Sequence, residues 1–413
     1  MEVDTKNSQS PDCQVLIVGA GPTGLTLAAI LSQAGVKVRI IDKNQTRSIQ
    51  SKALGVQAGT LEALSDVFGS ALAEQMIGCG QPARTAELHF GNRNPVRVEL
   101  SSIPSLYNFI LILEQSETER ILEKTLDQYN VEVEREMELR AYTQDGSKII
   151  SEVEHNGVTE KIYSQYLIGC DGAHSIVRHL AGIPFVGAAY TGDFVLGDVT
   201  VDWPWEYGVV RTFVSSSGVL AGFPLNSGHK YRLILISNEK NQTGDSTISL
   251  EEFSKLANDL CPKSIRISDP IWLTRFRVHH RIVSSYRKGN VFLAGDAAHI
   301  HSPAGGQGMN IGIQDSINLG HKLIQVLSRG APAELLDRYE KERLPIARKV
   351  LRSTDFAFRM ALLPNMPFLN GIRNLLFPLV VRNRFLQKKV ARAISEVLVA
   401  REEIRMRGKL EHE

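Results

Sequence analysis

Glycines at the spacing of a dinucleotide-binding turn stand near the start of the chain. In a G-x-G-x-x-G turn the first glycine allows a tight bend, the second lets a pyrophosphate approach the backbone, and the third lets a helix pack closely on a strand. Amides at the N-terminus of that helix attract phosphate. We expect Asp42, eighteen residues after Gly24, to accept a hydrogen bond from an adenosine ribose hydroxyl. The series itself is Gly19, Ala20, Gly21, Pro22, Thr23 and Gly24.

Two later stretches are needed to tell FAD from NAD, because both cofactors use this kind of turn. The first covers residues 166–175 and places Asp171 and Gly172 directly after a strand-like run. By itself, an Asp-Gly pair after a strand is a common turn. The second begins at 291, and its length and composition are hard to explain by packing alone. Its notable residues are Gly295, Asp296, Pro303, Gly305, Gly306, Gly308, Met309 and Asn310.

Together the three stretches resemble the class A flavoprotein monooxygenases, the para-hydroxybenzoate hydroxylase-like family that includes aromatic polyketide and phenol hydroxylases. The resemblance runs from Val15 to about Val350. It implies that one FAD lies across all three stretches, that Asp296 contacts the ribityl chain, and that the Asp171 turn helps to hold both the flavin and the reducing nucleotide. The cofactor-binding residues that it implies are Gly19, Gly21, Pro22, Thr23, Gly24, Asp42, Lys43, Arg47, Gln115, Asp171, Gly172, Gly295, Asp296, Pro303, Gly306, Gly308, Met309 and Asn310.

Arg47 and Gln115 match family positions that touch the flavin or its phosphates, and Gln115 stands in a Q-x-x-x-E setting with Glu119. A surface position is the alternative for either residue. The glycine-rich turn from Pro303 to Asn310 has a clearer reason, because it opens a helix and aims backbone N–H groups at the N1 and C2 carbonyl edge of the flavin. These amides and the helix dipole are expected to stabilise the reduced, anionic flavin and its C4a-hydroperoxide.

The sequence holds a single dinucleotide fingerprint, since the series from Gly306 lacks a third glycine. The nicotinamide donor therefore has no Rossmann domain of its own. The resemblance implies that NADPH or NADH docks transiently, reduces the flavin and leaves before oxygen reacts. Asp42 belongs to the FAD ribose and does not distinguish the two donors.

These features predict an FAD-dependent monooxygenase that uses NAD(P)H and O₂ to hydroxylate an aromatic or polycyclic small molecule. An FAD-dependent reductase or epoxidase of an isoprenoid or lipid is an alternative, since such enzymes share the three motifs. A flavin-binding protein without catalysis is a second alternative. The catalytic residue is not identified by the sequence. Pocket candidates are Pro303 and four residues that are each equally well residues of the sheet: Arg211, Phe223, Pro224 and Tyr231.

Composition and spacing exclude other classes of function. A formal charge of +2 does not indicate a nucleic-acid partner. No metal is expected, because the pairs His299/His301 and His279/His280 lack the carboxylates or cysteines that would complete a site. The four cysteines are scattered without a C-x-x-C pair, which predicts reduced thiols in a cytoplasmic protein. A monomer or a homodimer fits equally well.

The fold that must position these residues is predicted to be α/β. A strand over 13–19, a helix over 22–33 and a strand over 36–42 form a βαβ unit. A charged helix over 116–129 precedes a hairpin at Asp145-Gly146, while short alternating runs between 187 and 286 indicate an antiparallel sheet. We expect an FAD-binding Rossmann-like domain of the para-hydroxybenzoate hydroxylase type over 1–75, 100–182 and 287–360. A mostly antiparallel substrate domain is expected over 76–99 and 183–286.

Residues 361–413 are predicted to form a C-terminal helical segment. In the larger phenol and polyketide hydroxylases a similar stretch leads into a thioredoxin-like domain, and the present sequence stops at that point. From Ile372 onward it carries ten Lys or Arg against five Glu, with apolar residues between them. Weak contact with a membrane surface is one hypothesis for this segment. The other is that its helices pack on the FAD domain and leave a solvated basic face.

Overall fold

The computed structural model describes residues 11–47, 53–90, 94–190, 192–226, 228–240, 247–303, 305–361 and, nearer the C-terminus, 391, 395–397, 399–402 and 404–405. Within these ranges eight longer helical elements are α1 Pro22–Gln33, α2 Ala58–Phe68, α3 Ser70–Cys79, α4 Gln115–Asp127, α5 Ile176–Leu180, α6 Leu250–Leu260, α7 Gly308–Arg329 and α8 Asp337–Ala361. Short 3₁₀ turns occur at Leu100–Ser102, Gly295–Ala297 and Ala333–Leu336.

The strands of the described residues are β1 Val15–Val18, β2 Val38–Asp42, β3 Gly55–Val56, β4 Gln81–Ala83, β5 Thr85–Phe90, β6 Val96–Glu99, β7 Ile110–Ile112, β8 Val133–Arg135, β9 Met137–Asp145, β10 Lys148–His155, β11 Val158–Ser164, β12 Tyr166–Gly169, β13 Phe185–Ala189, β14 Gly192–Asp202, β15 Val210–Val214, β16 Gly218–Pro224, β17 Lys230–Lys240, β18 Arg266–Phe276, β19 His279–Val283, β20 Arg287–Lys288, β21 Val291–Leu293 and β22 His299–Ile300.

A six-stranded sheet in the order β20-β21-β12-β1-β2-β8 carries the three motifs. Five of its strands run parallel to one another, namely β21, β12, β1, β2 and β8. Strand β20 pairs antiparallel with β21 at one edge. Every residue of β1, β12 and β21 is buried, as expected for parallel strands that are covered on both faces. The predicted βαβ unit is therefore confirmed. The carboxyl ends of these strands meet at one edge, where open α/β sheets bind their ligands.

A second sheet of seven strands has the order β18-β14-β17-β16-β15-β5-β6. Its pairs are antiparallel except for β15 and β5, which run parallel. The predicted antiparallel unit is thus present, and α6, which the sequence did not suggest, packs on one face through Phe253, Ala257 and Leu260. These three residues follow helical spacing and are the buried stripe of an otherwise polar helix.

Three small sheets join the larger ones: β11-β10-β9, β3-β7-β4 and β13-β19-β22. The first is the predicted hairpin extended by one strand, and Gly146 takes the positive φ of 58° that its turn needs. The other two combine strands from both expected domains. The boundary expected between residues 75 and 76 falls inside α3, whose Ala73 and Met76 belong to the same hydrophobic core.

Little of the expected C-terminal segment over 361–413, and little of its basic tract, belongs to the described residues. The described part packs on α2: Ala391 and Val397 cluster with Ala58, and the Gly59 N–H donates to the carbonyl of Ser395 at 2.8 Å. Among the helices that the structure describes, none combines the length and the apolar character needed to cross a membrane.

Candidate functional site

The first and second motifs touch through the backbone of Gly19. This residue has a φ of +104°, and a Cβ built on it would lie 2.4 Å from the carbonyl oxygen of Cys170. A Cβ on Gly24 would lie 1.9 Å from the carbonyl oxygen of Gly19. Neither position admits a side chain, because backbone atoms cannot move aside. Gly24 thus allows the helix–strand packing that the sequence predicted, and Gly19 holds the turn against the end of β12.

The first and third motifs meet at Thr23. A Cβ on Gly295 would lie 2.5 Å from Thr23 Oγ1, and one on Gly312 would lie 2.4 Å from the same oxygen. The carbonyl of Thr23 accepts a hydrogen bond from Ser316 Oγ at 2.6 Å. The start of α1 is therefore packed against the Gly295 turn and against α7.

Arg178 joins the second and third motifs. Its Nη1 donates to the carbonyl of Ala297 at 2.9 Å, and its Nη2 donates to the carbonyl of Ala173 at 2.8 Å. The guanidinium also lies 4.0 Å from the ring centroid of Phe185. Burial lowers the pKa of Arg178 from its usual value, with Asp171 opposing the shift. All three motifs thus form one continuous surface at the carboxyl edge of the parallel sheet.

Asp42 ends β2 beside the glycine turn. Its Oδ2 accepts from the Ala20 N–H at 2.8 Å, and its Oδ1 accepts from the backbone and side-chain nitrogens of Asn44 at 2.8 and 2.9 Å. A carboxylate has about four acceptor sites, so it can still accept from a ribose hydroxyl. Lys43 points to solvent. In α1, Gly21 is the N-cap residue without a side-chain cap, and no protein atom lies within 4 Å of its built Cβ.

Arg47 and Gln115 lie near this end of the site. Arg47 Nη1 pairs with Glu123 Oε2 at 2.6 Å, and Glu123 also pairs with Arg135 at 3.0 Å. Gln115 Nε2 donates to Glu119 at 2.8 Å. Burial raises the pKa of Glu119, while Gln115, Arg135 and Arg47 oppose the shift. Arg135 was not predicted, because its relevance depends on its register opposite Asp42 in the β2–β8 pair.

The Asp171 carboxylate accepts hydrogen bonds from groups within its own turn. It accepts from the Ile176 and Val177 N–H groups at 2.7 and 3.1 Å and from the Ser175 hydroxyl. Burial raises the pKa of Asp171, and these hydrogen bonds oppose the shift. The side chain therefore fixes the turn that leads into α5. Gly172, with a φ of +77° and no protein atom within 4 Å of its built Cβ, leaves open space beside that turn.

Asp296 lies in the 3₁₀ turn that follows β21. Its side chain is exposed, whereas Gly295, Ala297 and Ala298 around it are buried. Asp315, whose side chain has no exposed surface, holds this turn by accepting a hydrogen bond from the Gly295 N–H. Asp296 thus leaves the core at the point where the three motifs meet.

Three donors converge on Asp315. They are the Gly295 N–H at 3.1 Å, His299 Nε2 at 2.7 Å and Arg343 Nε at 2.6 Å. Burial alone would raise the pKa of Asp315, but Arg343 and His299 outweigh it and hold that pKa below its usual range. His299 is therefore part of this carboxylate network. Arg343 was not predicted, since it stands in a highly charged helix with no distinctive spacing.

The glycine-rich turn leads into α7, which begins at Gly308 without a side-chain cap or an acidic residue in its first turn. Gly305 and Gly306 take φ values of +86° and +61°, and no protein atom lies within 3.4 Å of their built Cβ atoms. Glycine is thus required here by backbone conformation and not by crowding. The space beside the turn is open, and uncapped amides border it. Pro303 and Met309 are partly buried in the same turn.

Asn310 and Gln57 brace this turn. Asn310 is fully buried, and its Nδ2 donates to the carbonyls of Gly55 and Gly306, each at 2.8 Å. Its Oδ1 accepts from the Gln57 N–H at 2.8 Å, and Gln57 Nε2 donates to the Gly305 carbonyl at 2.9 Å. The side chain of Asn310 therefore holds the backbone at Gly55, Gln57 and Gly306 together. Gln57 was not predicted, and no local pattern in the sequence marks it.

Comparison with known proteins identifies the family to which this arrangement belongs. Residues 12–354 match the family model described as FAD binding domain. The chain belongs to this FAD-binding family. The match confirms the resemblance to class A flavoprotein monooxygenases and the expectation of an FAD cofactor.

Relatives of the FAD-binding chain include named monooxygenases. It is 35% identical to 6-methylpretetramide 4-monooxygenase from Streptomyces rimosus over 354 residues. The aligned part covers 85% of this chain and 63% of that protein. The chain is 34% identical to pentachlorophenol 4-monooxygenase from Sphingobium chlorophenolicum over 363 residues. The aligned part covers 84% of this chain and 64% of that protein. The structure of anhydrotetracycline hydroxylase from Streptomyces rimosus matches with a TM-score of 0.74 and 31% identity, over 93% of this chain and 76% of that chain. The chain thus spans less than two thirds of the length of these two curated relatives.

The residues present fit FAD. The open spaces beside Gly21, Gly172 and Gly306 adjoin turns of the three motifs, and two helices begin there without side-chain caps. Asp42 ends β2, and Asp296 lies in the turn after β21. Helix N-termini suit the pyrophosphate and the electron-rich ring edge, and carboxylates suit the ribose and ribityl hydroxyls. A flavin dinucleotide carries all of these groups.

The seven-stranded sheet has one face on α6 and the other toward the segment that contains Ala53. Leu220 and Leu233 share a cluster with Phe253 of α6. Side chains alternate along a strand, and cross-strand neighbours share a face. The opposite face approaches the FAD domain, because Arg232 on that face donates from Nη1 to the Ala53 carbonyl at 3.1 Å.

Three of the pocket candidates lie on the α6 face. Arg211 is 2% exposed and pairs with Glu87 at 2.9 Å, and Tyr231 is 1% exposed with its ring centroid 4.5 Å from that of Trp203. Pro224 is the register partner of Tyr231 and is buried with it. This placement favours the alternative that the three are residues of the sheet. Two-residue periodicity alone does not tell which face of a sheet meets which neighbour.

Phe223 lies on the opposite face. It is partly buried and packs with Leu54 and Ile112, which belong to the FAD domain. Of the four candidates in this sheet it is therefore the one that approaches the flavin side. Pro303 also stays a candidate, since it belongs to the glycine-rich turn itself.

Proposed function

We propose that this chain is an FAD-dependent monooxygenase that uses NAD(P)H and O₂ to hydroxylate an aromatic or polycyclic small molecule. One observation carries the proposal: a row of uncharged, partly exposed side chains crosses the sheet face that is turned toward the flavin motifs. The printed names of the relatives support it, since they are monooxygenases of a pretetramide, of pentachlorophenol and of anhydrotetracycline.

The row is built from direct cross-strand neighbours. Leu88 stands beside Thr212, Thr212 opposite Ala221, and Ala221 opposite Ile234. All four are partly exposed, although the residues of the same strands that face α6 are mostly buried. Small and aliphatic side chains in register give a flat apolar surface. Such a surface suits a planar ring system and offers little to a charged or extended ligand.

The chain's own residues would bind the cofactor, orient the substrate and shield both from water. Bound FAD supplies the redox chemistry, taking electrons from the nicotinamide and delivering an electrophilic oxygen atom to an electron-rich carbon. The glycine turn and Asp42 would hold the adenosine half, and Asp296 would hold the ribityl chain. The turn at Gly306 would place the ring edge. The sheet face would then present the substrate to the ring and exclude water from the space between them.

The roles of the individual cofactor-binding residues belong to this proposal, as do the domain limits, a cytoplasmic location and an assembly as a monomer or homodimer. Cys13, Cys79, Cys170 and Cys261 are all free thiols. This agrees with a reducing compartment.

Mass spectrometry of the products tests the proposal. The protein, loaded with FAD, is given NADH or NADPH, labelled oxygen gas and a panel of phenols, polyketides and terpenoids. One labelled oxygen atom in an aromatic product is expected, with oxygen consumption that rises with substrate. Turnover without oxygen would instead favour the reductase alternative. A flavin that neither nicotinamide donor reduces would favour a non-catalytic flavin-binding protein.

A further inference from the structure

The Gln57 amide is held in one orientation beside the glycine-rich turn. Its side chain is 1% exposed, and its Nε2 donates to the Gly305 carbonyl at 2.9 Å. The Gln57 N–H donates to Asn310, so the backbone is fixed as well. Because a carbonyl oxygen can only accept, the nitrogen must face Gly305. The amide oxygen of Gln57 must therefore point away from that carbonyl.

Gln57 Oε1 is buried and has no hydrogen-bond partner within the described ranges. A buried acceptor without a donor destabilises a fold, so native proteins rarely keep one without a reason. The amide borders the open space of the turn, since a Cβ built on Gly306 would lie 3.9 Å from Gln57 Nε2 and within 4 Å of no other protein atom. Nε2 and Oε1 belong to one amide group, so the unpartnered acceptor lies beside the turn at which the ring edge of the flavin would be placed.

The protein turn and the pyrimidine edge of the flavin carry complementary hydrogen-bonding groups. The turn and the start of α7 present backbone donors, which suit the carbonyl oxygens and N1 of the flavin ring. The pyrimidine edge of oxidised flavin has one donor of its own, the N3–H group. A site that offers donors only would leave that group unsatisfied.

We propose that Gln57 Oε1 accepts the hydrogen bond of the flavin N3–H, so that Gln57 binds the ring and braces the Gly305 carbonyl through opposite ends of one amide. Gln57 is then a cofactor-positioning residue. It transfers no proton and contacts no substrate. The inference rests on FAD binding and not on hydroxylation.

A cofactor analogue tests the contact directly. The apoprotein is titrated with FAD and with N3-methyl-FAD, which lacks the donor, and flavin fluorescence gives the dissociation constants without substrate or nicotinamide. For the natural sequence, N3-methyl-FAD should bind roughly tenfold more weakly or worse, the effect expected from leaving one buried polar group unpaired. In Gln57→Ala, which removes the acceptor and makes room for the methyl group, the two cofactors should bind alike.

Two further variants keep the test decisive. Gln57→Met fills similar space without an acceptor, so it should bind the two cofactors alike even where Gln57→Ala folds poorly. His301→Gln is the matched control, because His301 Nε2 is a second buried atom without a partner in the described structure, beside Gly308. This variant should discriminate as the natural sequence does.

Equal binding of both cofactors by the natural sequence overturns the proposal. So does tenfold discrimination that survives in Gln57→Ala, or that disappears in His301→Gln instead. Failure of the natural sequence to bind FAD at all would contradict the cofactor itself, which is a different result. Failure to hydroxylate any substrate would leave these binding constants unaffected.

Discussion

Arg343 Nε donates to Asp315 Oδ1 at 2.6 Å, and neither side chain has solvent-exposed surface. The pair holds the turn that carries Asp296, because the same carboxylate accepts from the Gly295 N–H. Arg343→Met would leave a buried charge without its partner and should lower the free energy of unfolding by roughly 3–5 kcal/mol. Urea unfolding measures this change.

The control for this prediction is Arg287→Met. Arg287 pairs with Asp337, whose side chain is 52% exposed, and exposed pairs contribute about 0–1 kcal/mol. If both variants lose the same small amount of stability, Asp315 does not depend on Arg343.

Two glycines of the first motif should fail in different ways. Gly24→Ala places a methyl group against the Gly19 carbonyl, where a built Cβ lies at 1.9 Å. It should therefore reduce both thermal stability and FAD content. At Gly21 a built Cβ has no protein atom within 4 Å, so Gly21→Val should keep its stability and yet yield colourless protein. Calorimetry and flavin absorbance distinguish the two, and a yellow Gly21→Val protein at full stoichiometry would contradict the pyrophosphate placement.

Asp296→Ala should weaken FAD binding by at least about tenfold, through loss of a ribityl contact. Because the side chain is exposed, the stability of the apoprotein should change by less than about 1 kcal/mol. Flavin titration gives the dissociation constant, and thermal unfolding of the apoprotein serves as its control. An unchanged dissociation constant would remove this residue from the cofactor site.

His301 should make the fold sensitive to mild acid. Burial lowers the pKa of His301 from 6.5 to about 4, with His299 adding to the shift and the Ser302 carbonyl opposing it. Between these two values the unfolded chain binds a proton that the folded chain does not, so stability is present above pH 6.5 and falls as the pH is lowered. The loss by pH 5 should be of the order of 2 kcal/mol.

Urea unfolding at pH 5 and pH 7.5 measures this loss. His301→Gln removes the titrating group, so its stability should fall by a smaller amount over the same interval. Parallel losses in both proteins would show that other groups cause the acid sensitivity.

The apolar row of the sheet offers a test of the substrate face. Ala221→Phe fills the space between Thr212 and Ile234, its register partners. FAD content should be retained, while substrate should no longer stimulate NAD(P)H oxidation. Ser217→Phe, in the exposed turn of the same hairpin, is the matched control and should behave as the natural sequence. Normal stimulation in Ala221→Phe would place the substrate elsewhere.

Local patterns in the sequence determined the elements and the cofactor motifs. The helix over Pro22–Gln33 begins and ends where its sequence signals predict, because glycines and apolar spacing act within a few residues. The order of strand, glycine turn, helix and Asp42 identified a dinucleotide site for the same reason. The resemblance then indicated FAD.

Tertiary structure decided which residues meet around those motifs. Gln57 reaches Gly305 across 248 positions of sequence, and Arg343 reaches Asp315 from a different helix. The face of the sheet on which Arg211 and Tyr231 lie was likewise set by α6 and by the FAD domain. Such contacts depend on the packing of whole layers, and a period of two or 3.6 residues carries no information about the neighbour that a face will meet.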